Sequence, residues 1–147
     1  MTAVAAVAAV AVGAVALPAA AADHHHPAAR AHHGTVYISG VQAHSARDHS
    51  VRALDREWVS ITNNSRRGIS LNGWTLSDRD GHTYRFRHYY LAGRSSVRVH
   101  TGVGHDTRTD LYQDRRRSVW DSVDKATLRN EHGRIVDDAS WGRRSHR

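Results

Sequence analysis

The sequence predicts an all-β fold, an antiparallel β-sandwich of about eight short strands. Three observations point there. Apolar and polar residues alternate in short runs, as in Val59-Ser60-Ile61-Thr62 and Val97-Arg98-Val99-His100. Turn dipeptides and Gly-rich breaks punctuate those runs, among them Asn72-Gly73, Asp80-Gly81 and Asn130-Glu131-His132-Gly133. Past residue 22 no segment carries the helical apolar period of about 3.6 residues, and no repeat recurs at solenoid spacing.

The first expected strand starts near Thr35, where Val36 and Ile38 alternate with Tyr37 and Ser39. His44 to Asp55 is polar and irregular and reads as a long surface loop. Glu57 to Thr62 is the next strand. Side chains alternate across a strand, so Val59 and Ile61 face inward and Trp58, Ser60 and Thr62 outward. Asn63 to Gly68 is a turn of residues that tolerate left-handed backbone. Ile69 to Leu71 is a short strand, closed by the tight-turn pair Asn72-Gly73.

Trp74 and Leu76 then alternate with Thr75 and Ser77, and Asp80-Gly81 turns the chain again. Tyr84 and Phe86 share one face of the following strand, and Arg85 and Arg87 take the other. After Gly93, Val97 and Val99 point inward while Arg98 and His100 point outward. The last two strands are Ala126 to Arg129 and Arg134 to Asp137, with Trp141 closing the apolar pattern. Trp74, Trp141, Val59, Ile61, Leu76, Phe86, Val97, Val99 and Leu128 are the expected core.

Residues 1–22 read differently. Ala3 to Leu17 are almost all Ala and Val, followed by Pro18, a run of Ala and the first charge at Asp23. This has the apolar stretch and small-residue cleavage region of a secretory signal peptide. It is weak for a membrane span, which needs about 20 strongly apolar residues. No Lys or Arg precedes the run, so its positive end is the amino terminus or lies upstream of Met1. Residues 23–34 form a His- and Ala-rich linker without apolar period, residues 35–142 the sandwich domain, and residues 143–147 a basic tail. The expected location is outside the cell or at its surface.

The chain has no cysteine, which excludes disulfides, Cys-based zinc sites and thiol catalysis. Its net charge is +7, and Lys125 is its single lysine. Arginine offers a permanent charge and a planar fork of donors suited to phosphate and carboxylate. A GC-rich genome also favours arginine, so the excess alone does not require a ligand. If it serves binding, the partner is a polyanion: nucleic acid, teichoic acid or acidic polysaccharide. The residues expected to meet it are Arg85, Arg87 and Arg98 on outward strand faces and Arg115, Arg116 and Arg117 in one loop. Trp58 and Tyr89 are candidate exposed aromatic partners.

Other chemistries find little support. Gly68-Ile69-Ser70-Leu71-Asn72 lacks the second Gly of a hydrolase nucleophile elbow and precedes no helix. Glu57 and Glu131 are the only glutamates and read as solvated surface. Asp78-Arg79-Asp80-Gly81 resembles the opening of a calcium loop, but Tyr89 stands where an EF-hand needs its bidentate Glu. His24, His25, His26, His32 and His33 could catch a divalent metal adventitiously, since a flexible tract builds no shaped site. The expectation is no catalytic residue and no cofactor.

Several segments, in order, carry a family resemblance. They are Gly73-Trp74-Thr75-Leu76 with Asp78, Gly81-His82-Thr83-Tyr84-Arg85-Phe86, and Val99-His100-Thr101-Gly102-Val103-Gly104. Asp110-Leu111-Tyr112, Trp120-Asp121 and Ala126-Thr127-Leu128-Arg129 with Gly133 follow. Together, over roughly residues 36–141, the chain resembles the lamin tail domain, of the type found in secreted bacterial, actinobacterial-type proteins. The resemblance implies an immunoglobulin-like sandwich that serves as an interaction module without catalytic residues. Two segments depart from the pattern: Gln113-Asp114-Arg115-Arg116-Arg117 replaces a Trp- and Gly-rich stretch, and Arg87-His88-Tyr89-Tyr90 lacks a common Pro. The reading is an exported binding or scaffolding module for a polyanionic or cell-envelope partner. The alternative is a structural protein–protein module, and a hydrolase comes last.

Overall fold

A computed structural model describes residues 34–43 and 50–142. The expected signal peptide, the histidine tract and the basic tail lie outside the described residues. In chain order the elements are β1 (Val36–Gln42), α1 (Val51–Asp55), β2 (Trp58–Asn63), β3 (Ile69–Ser70) and β4 (Thr75–Ser77). Then come β5 (Thr83–Arg85), β6 (Tyr90–Leu91), β7 (Ser96–His100), β8 (Asp110–Tyr112), β9 (Asp124–Arg129) and β10 (Ile135–Trp141).

Two four-stranded sheets hold most of these strands. One runs β1-β2-β7-β8 and the other β10-β9-β4-β5, with β3-β6 as a two-stranded addition. Register follows the apolar alternation. Val59 lies opposite Val99 and Ile61 opposite Val97 in the first sheet. Leu76 lies opposite Leu128 and Tyr84 in the second. A one-residue slip would turn each set away from the core, so the pattern itself pins the pairing.

The inward faces of both sheets form one apolar cluster. It includes Ile38, Val59, Ile61, Leu76, Phe86, Val97, Val99 and Leu128, with Trp74, Trp120 and Trp141. Every residue of the expected core is buried there. Trp120 and Trp141 meet edge to face with ring centres 5.8 Å apart, and Trp141 Nε1 donates to the Asp121 carbonyl at 2.7 Å. That bond lets a tryptophan be buried without stranding its polar atom.

Polar side chains close the sandwich where strands end. The Ile38 N–H, on the outer edge of β1, donates to Asp137 Oδ2 on β10 at 2.8 Å. This joins the edges of the two sheets on one side. Asn63, fully buried at the end of β2, donates through Nδ2 to the carbonyls of Arg67, Leu91 and Ala92. Its Oδ1 accepts from the Ser65 N–H and hydroxyl. The expected 63–68 turn is thus organised by the residue that opens it, which also ties β6 to β2.

The structure corrects several expectations. The 50–55 part of the expected loop contains α1, which buries Ala53 and Leu54. One turn holds too few residues to show a period. β6 and β8 were not expected as strands; each is two or three residues long with a single buried apolar residue, Leu91 and Leu111. β8 pairs with β7 in parallel, so the sandwich is not wholly antiparallel. His100 is buried rather than outward, because α1 and β8 cover the end of β7. Glu57 is buried too, against its reading as solvated surface.

Candidate functional site

Glu57 explains how one charged loop is shaped. Its side chain is 1% exposed. Oε1 accepts from the Thr101 hydroxyl at 2.7 Å and from the backbone N–H groups of Val119 and Trp120 at 2.7 and 2.8 Å. Oε2 accepts from the Ser118 hydroxyl at 2.5 Å. A buried carboxylate is costly unless its lone pairs are filled, and here four donors fill them. The donors come from the end of β7 and from the segment just after Arg117. Glu57 therefore fixes the downstream end of the 113–117 loop.

Backbone bonds fix the upstream end. The N–H groups of Gln113, Asp114 and Arg115 donate to the carbonyls of His100, Gly102 and Thr101. Arg115 is half-buried, and its guanidinium donates to the Thr83 carbonyl on β5 at 3.3 Å and to Gln113 Oε1 at 3.2 Å. Arg116 and Arg117 are exposed at the tip. Asp114, beside them, sits at φ 54°, a left-handed conformation that turns the chain sharply before the arginines.

The six expected arginines do not form one patch. Arg115 reaches β5, the strand that carries Arg85, so loop and edge strand meet there. Arg87 is exposed two residues further on. Arg98 lies apart, on the outer face of the other sheet, since Val97 and Val99 on either side of it are buried in the core. The arginine's Cζ sits 4.5 Å from the Trp58 ring centre, a cation–π contact that half-buries the tryptophan. Trp58 is therefore not a free stacking surface, against expectation. Tyr89 is not one either: it packs on the core and donates to the Arg108 carbonyl at 2.6 Å.

His100 forms a second polar junction. Its Nε2 lies 2.7 Å from Asp110 Oδ1 and its Nδ1 3.1 Å from the Asp55 carbonyl, while the ring stacks on Tyr112 at 4.7 Å. It links α1, β7 and β8. Gly102 permits the approach of α1, because a Cβ there would lie 2.4 Å from Asp55 Oδ1 and 3.3 Å from α1 backbone atoms. Hydrogen bonds from the Thr109 hydroxyl and His100 hold the Asp110 carboxyl below the usual range.

Other ionisable groups are shifted upward. Burial, then the charges of Asp106, Asp114 and Tyr89, pushes Tyr84 to about 12. Burial and Asp110 raise Tyr89. Burial, then Asp124, Asp80, Glu57 and Asp78, raises Asp121. Asp78 itself is buried and accepts the His82 N–H at 2.7 Å, as a turn-forming aspartate does. Among the described residues, no three His, Asp or Glu side chains are arranged to hold a metal ion.

Sequence reasoning placed the arginine loop but missed what holds it. Nothing local distinguishes Glu57 from a solvated glutamate; its donors lie 44 to 63 positions away. Compared with known families, residues 29–143 match the model described as Lamin Tail Domain. No curated protein matches the chain.

Proposed function

The chain belongs to the lamin tail domain family, and from that premise we infer an exported interaction module whose arginine-tipped loop engages an anionic polymer of the cell envelope or its surroundings. The family match and the sandwich support a non-enzymatic, immunoglobulin-like binding domain. The Ala- and Val-rich segment at residues 1–22 supports export as a secreted, bacterial-type protein.

One observation carries the choice of ligand. The 113–117 loop is anchored at both ends by buried bonds, yet Arg116 and Arg117 at its tip are exposed, with no ion-pair partner among the described residues. A rigid display of guanidinium groups lowers the ordering cost of binding phosphate or carboxylate. Nucleic acid, teichoic acid and acidic polysaccharide share that chemistry. Arg85 and Arg87 extend the charge along β5 and the segment after it.

Chromatography on immobilised heparin, run as a salt gradient, tests the reading. The wild-type chain is expected to elute late, and Arg115/Arg116/Arg117→Ala markedly earlier. Coincident early elution of both proteins would remove the proposal.

A second reading has its own support. The hydrogen bonds from Asp78 N to the His82 carbonyl and from Phe86 N to the Trp74 carbonyl turn the even positions of this segment toward β4. Thr83 and Arg85 thus aim their backbone groups outward, and β5 ends its sheet; the Thr83 carbonyl takes the Arg115 guanidinium, which leaves the Arg85 groups as the open part of the edge. Such an edge can accept an extended segment of a protein partner.

A further inference from the structure

A groove runs between the segment His88–Ala92 and the turn Thr107–Thr109, with Ser95 and Ser96 at its side. Its volume is 670 Å³. A second depression of 390 Å³, lined by Ser60, Ser96, Arg98, Thr109 and Asp110, shares Ser96 and Thr109 with it. The two make one trough, which passes from the outer face of the first sheet to Tyr90. We propose that this trough binds an acidic polysaccharide, a chain of uronate-type sugars, with Tyr90 as its stacking platform and Arg98 and Arg108 as its carboxylate contacts.

The trough is built rather than loose. Tyr89 Oη donates to the Arg108 carbonyl at 2.6 Å and ties the two walls together. Tyr90 is 64% exposed, the most exposed large apolar side chain described. Its ring is nonetheless seated: a Cβ on Gly68 would lie 2.2 Å from it. An exposed aromatic that is already ordered loses little freedom on binding. Sugar rings present C–H bonds to the electron-rich face of such a ring.

Charge selects an acidic chain. Arg98 is positioned by the Trp58 ring beneath its guanidinium. Arg108 is exposed on the opposite wall. The one carboxylate in the trough, Asp110, is already committed, with Oδ1 to His100 and Oδ2 to the Thr109 hydroxyl. Asp110 keeps its charge and lies opposite Arg98 in register, which offsets part of that guanidinium, so Arg108, with no ion-pair partner among the described residues, is the main carboxylate contact. Ser60, Ser96 and Thr109 add hydroxyls that keep donor or acceptor capacity beyond their internal bonds. A single-stranded nucleic acid would instead call for several stacking aromatics along a continuous basic track. Here one free platform stands among hydroxyls.

The proposal rests on the anionic-polymer reading for the sign of the ligand but assigns it to a different surface from the 113–117 loop. The test is calorimetric titration of the full chain with galacturonate oligomers, their methyl esters, and single-stranded DNA of equal charge. Galacturonate is expected to bind, and its methyl ester more weakly. Arg108→Gln and Tyr90→Ala should each weaken galacturonate binding about tenfold, with Arg115/Arg116/Arg117→Ala changing it less than about threefold. Arg108→Gln alters an exposed side chain and leaves the carbonyl that Tyr89 uses, so it reports on the trough even if Tyr90→Ala loosens β6. Galacturonate binding indifferent to Arg108→Gln but abolished by the loop variant would overturn the trough and leave the loop reading standing. Binding of DNA alone, or of no oligomer, would also overturn it.

Discussion

Glu57 and Trp120 lie 63 positions apart and are joined by a hydrogen bond of 2.8 Å, from the tryptophan's backbone N–H to Glu57 Oε1. With the Val119, Ser118 and Thr101 bonds, this makes a buried carboxylate the hub between the start of β2, the end of β7 and the segment that follows the arginine loop. Removing it strands several donors at once. Glu57→Ala should cost at least about 3 kcal/mol, because each buried unpaired donor costs about 1–3 kcal/mol. Glu57→Gln, which keeps an oxygen for three of the four donors, should cost less than half as much. Urea unfolding midpoints check both; equal midpoints for wild type and Glu57→Ala would contradict the hub.

Acid should weaken the junction around His100. The Asp110 carboxyl is held low by Thr109 and His100. Its folded value lies below its unfolded one, so its contribution is present above the unfolded value of about 3.9 and fades as pH falls through the folded value. Asp110→Asn should reduce stability at neutral pH and flatten the decline of the thermal midpoint below about pH 4. Parallel acid limbs for the two proteins would contradict the assignment.

Asp121 should behave with the opposite sign. Burial and a surrounding set of carboxylates raise it. Its charged form is disfavoured in the folded chain, so it contributes most below its unfolded value and that contribution is lost as pH rises through the folded one. Asp121→Asn should therefore stabilise the protein at neutral pH, with the gain vanishing in acid. The Trp141 bond goes to the Asp121 carbonyl and survives the change. A lower thermal midpoint at neutral pH would refute this.

One tyrosine should ionise late. Tyr84, pushed up to about 12 by burial and by Asp106, Asp114 and Tyr89, gives stability that is complete below its unfolded value of 10.0 and lost as pH rises toward 12. Absorbance titration near 295 nm is expected to show a class of tyrosine that ionises only as the fold is lost. Tyr84→Phe should shrink that class and leave Tyr89, which burial and Asp110 also raise. A single titration step centred at the ordinary tyrosine value would count against the geometry.

Much of this fold was legible because strands that face a core repeat their apolar residues at every second position. The inward faces of Val59 with Ile61 and of Val97 with Val99, and the burial of Leu76 and Leu128, followed from that alternation, while the pairing of Leu76 opposite Leu128 did not. The Asn130–Gly133 turn was legible from its chemistry: Gly133 sits at φ 75°, and Asn130 Oδ1 accepts the N–H groups of His132 and Arg134. What stayed hidden depends on distant partners. Leu111 in β8 and Leu91 in β6 are single apolar residues in segments too short to alternate. α1 has five residues and is held by Gly102, far along the chain. Of the site, the arginine loop was visible as a charge run. The trough was not, since Tyr90, Arg98 and Thr109 come from three separate elements and share no motif.

The central claim is that a rigid arginine loop on a lamin-tail sandwich binds anionic polymers. The salt dependence of affinity for a defined polyanion, duplex DNA, tests it most directly. Contacts with phosphates release counterions, so log affinity falls with log salt in proportion to their number. The account predicts a steep slope for the wild-type chain, shallower by about two to three for Arg115/Arg116/Arg117→Ala. Identical slopes for the two proteins, with the sandwich intact in both, would contradict it.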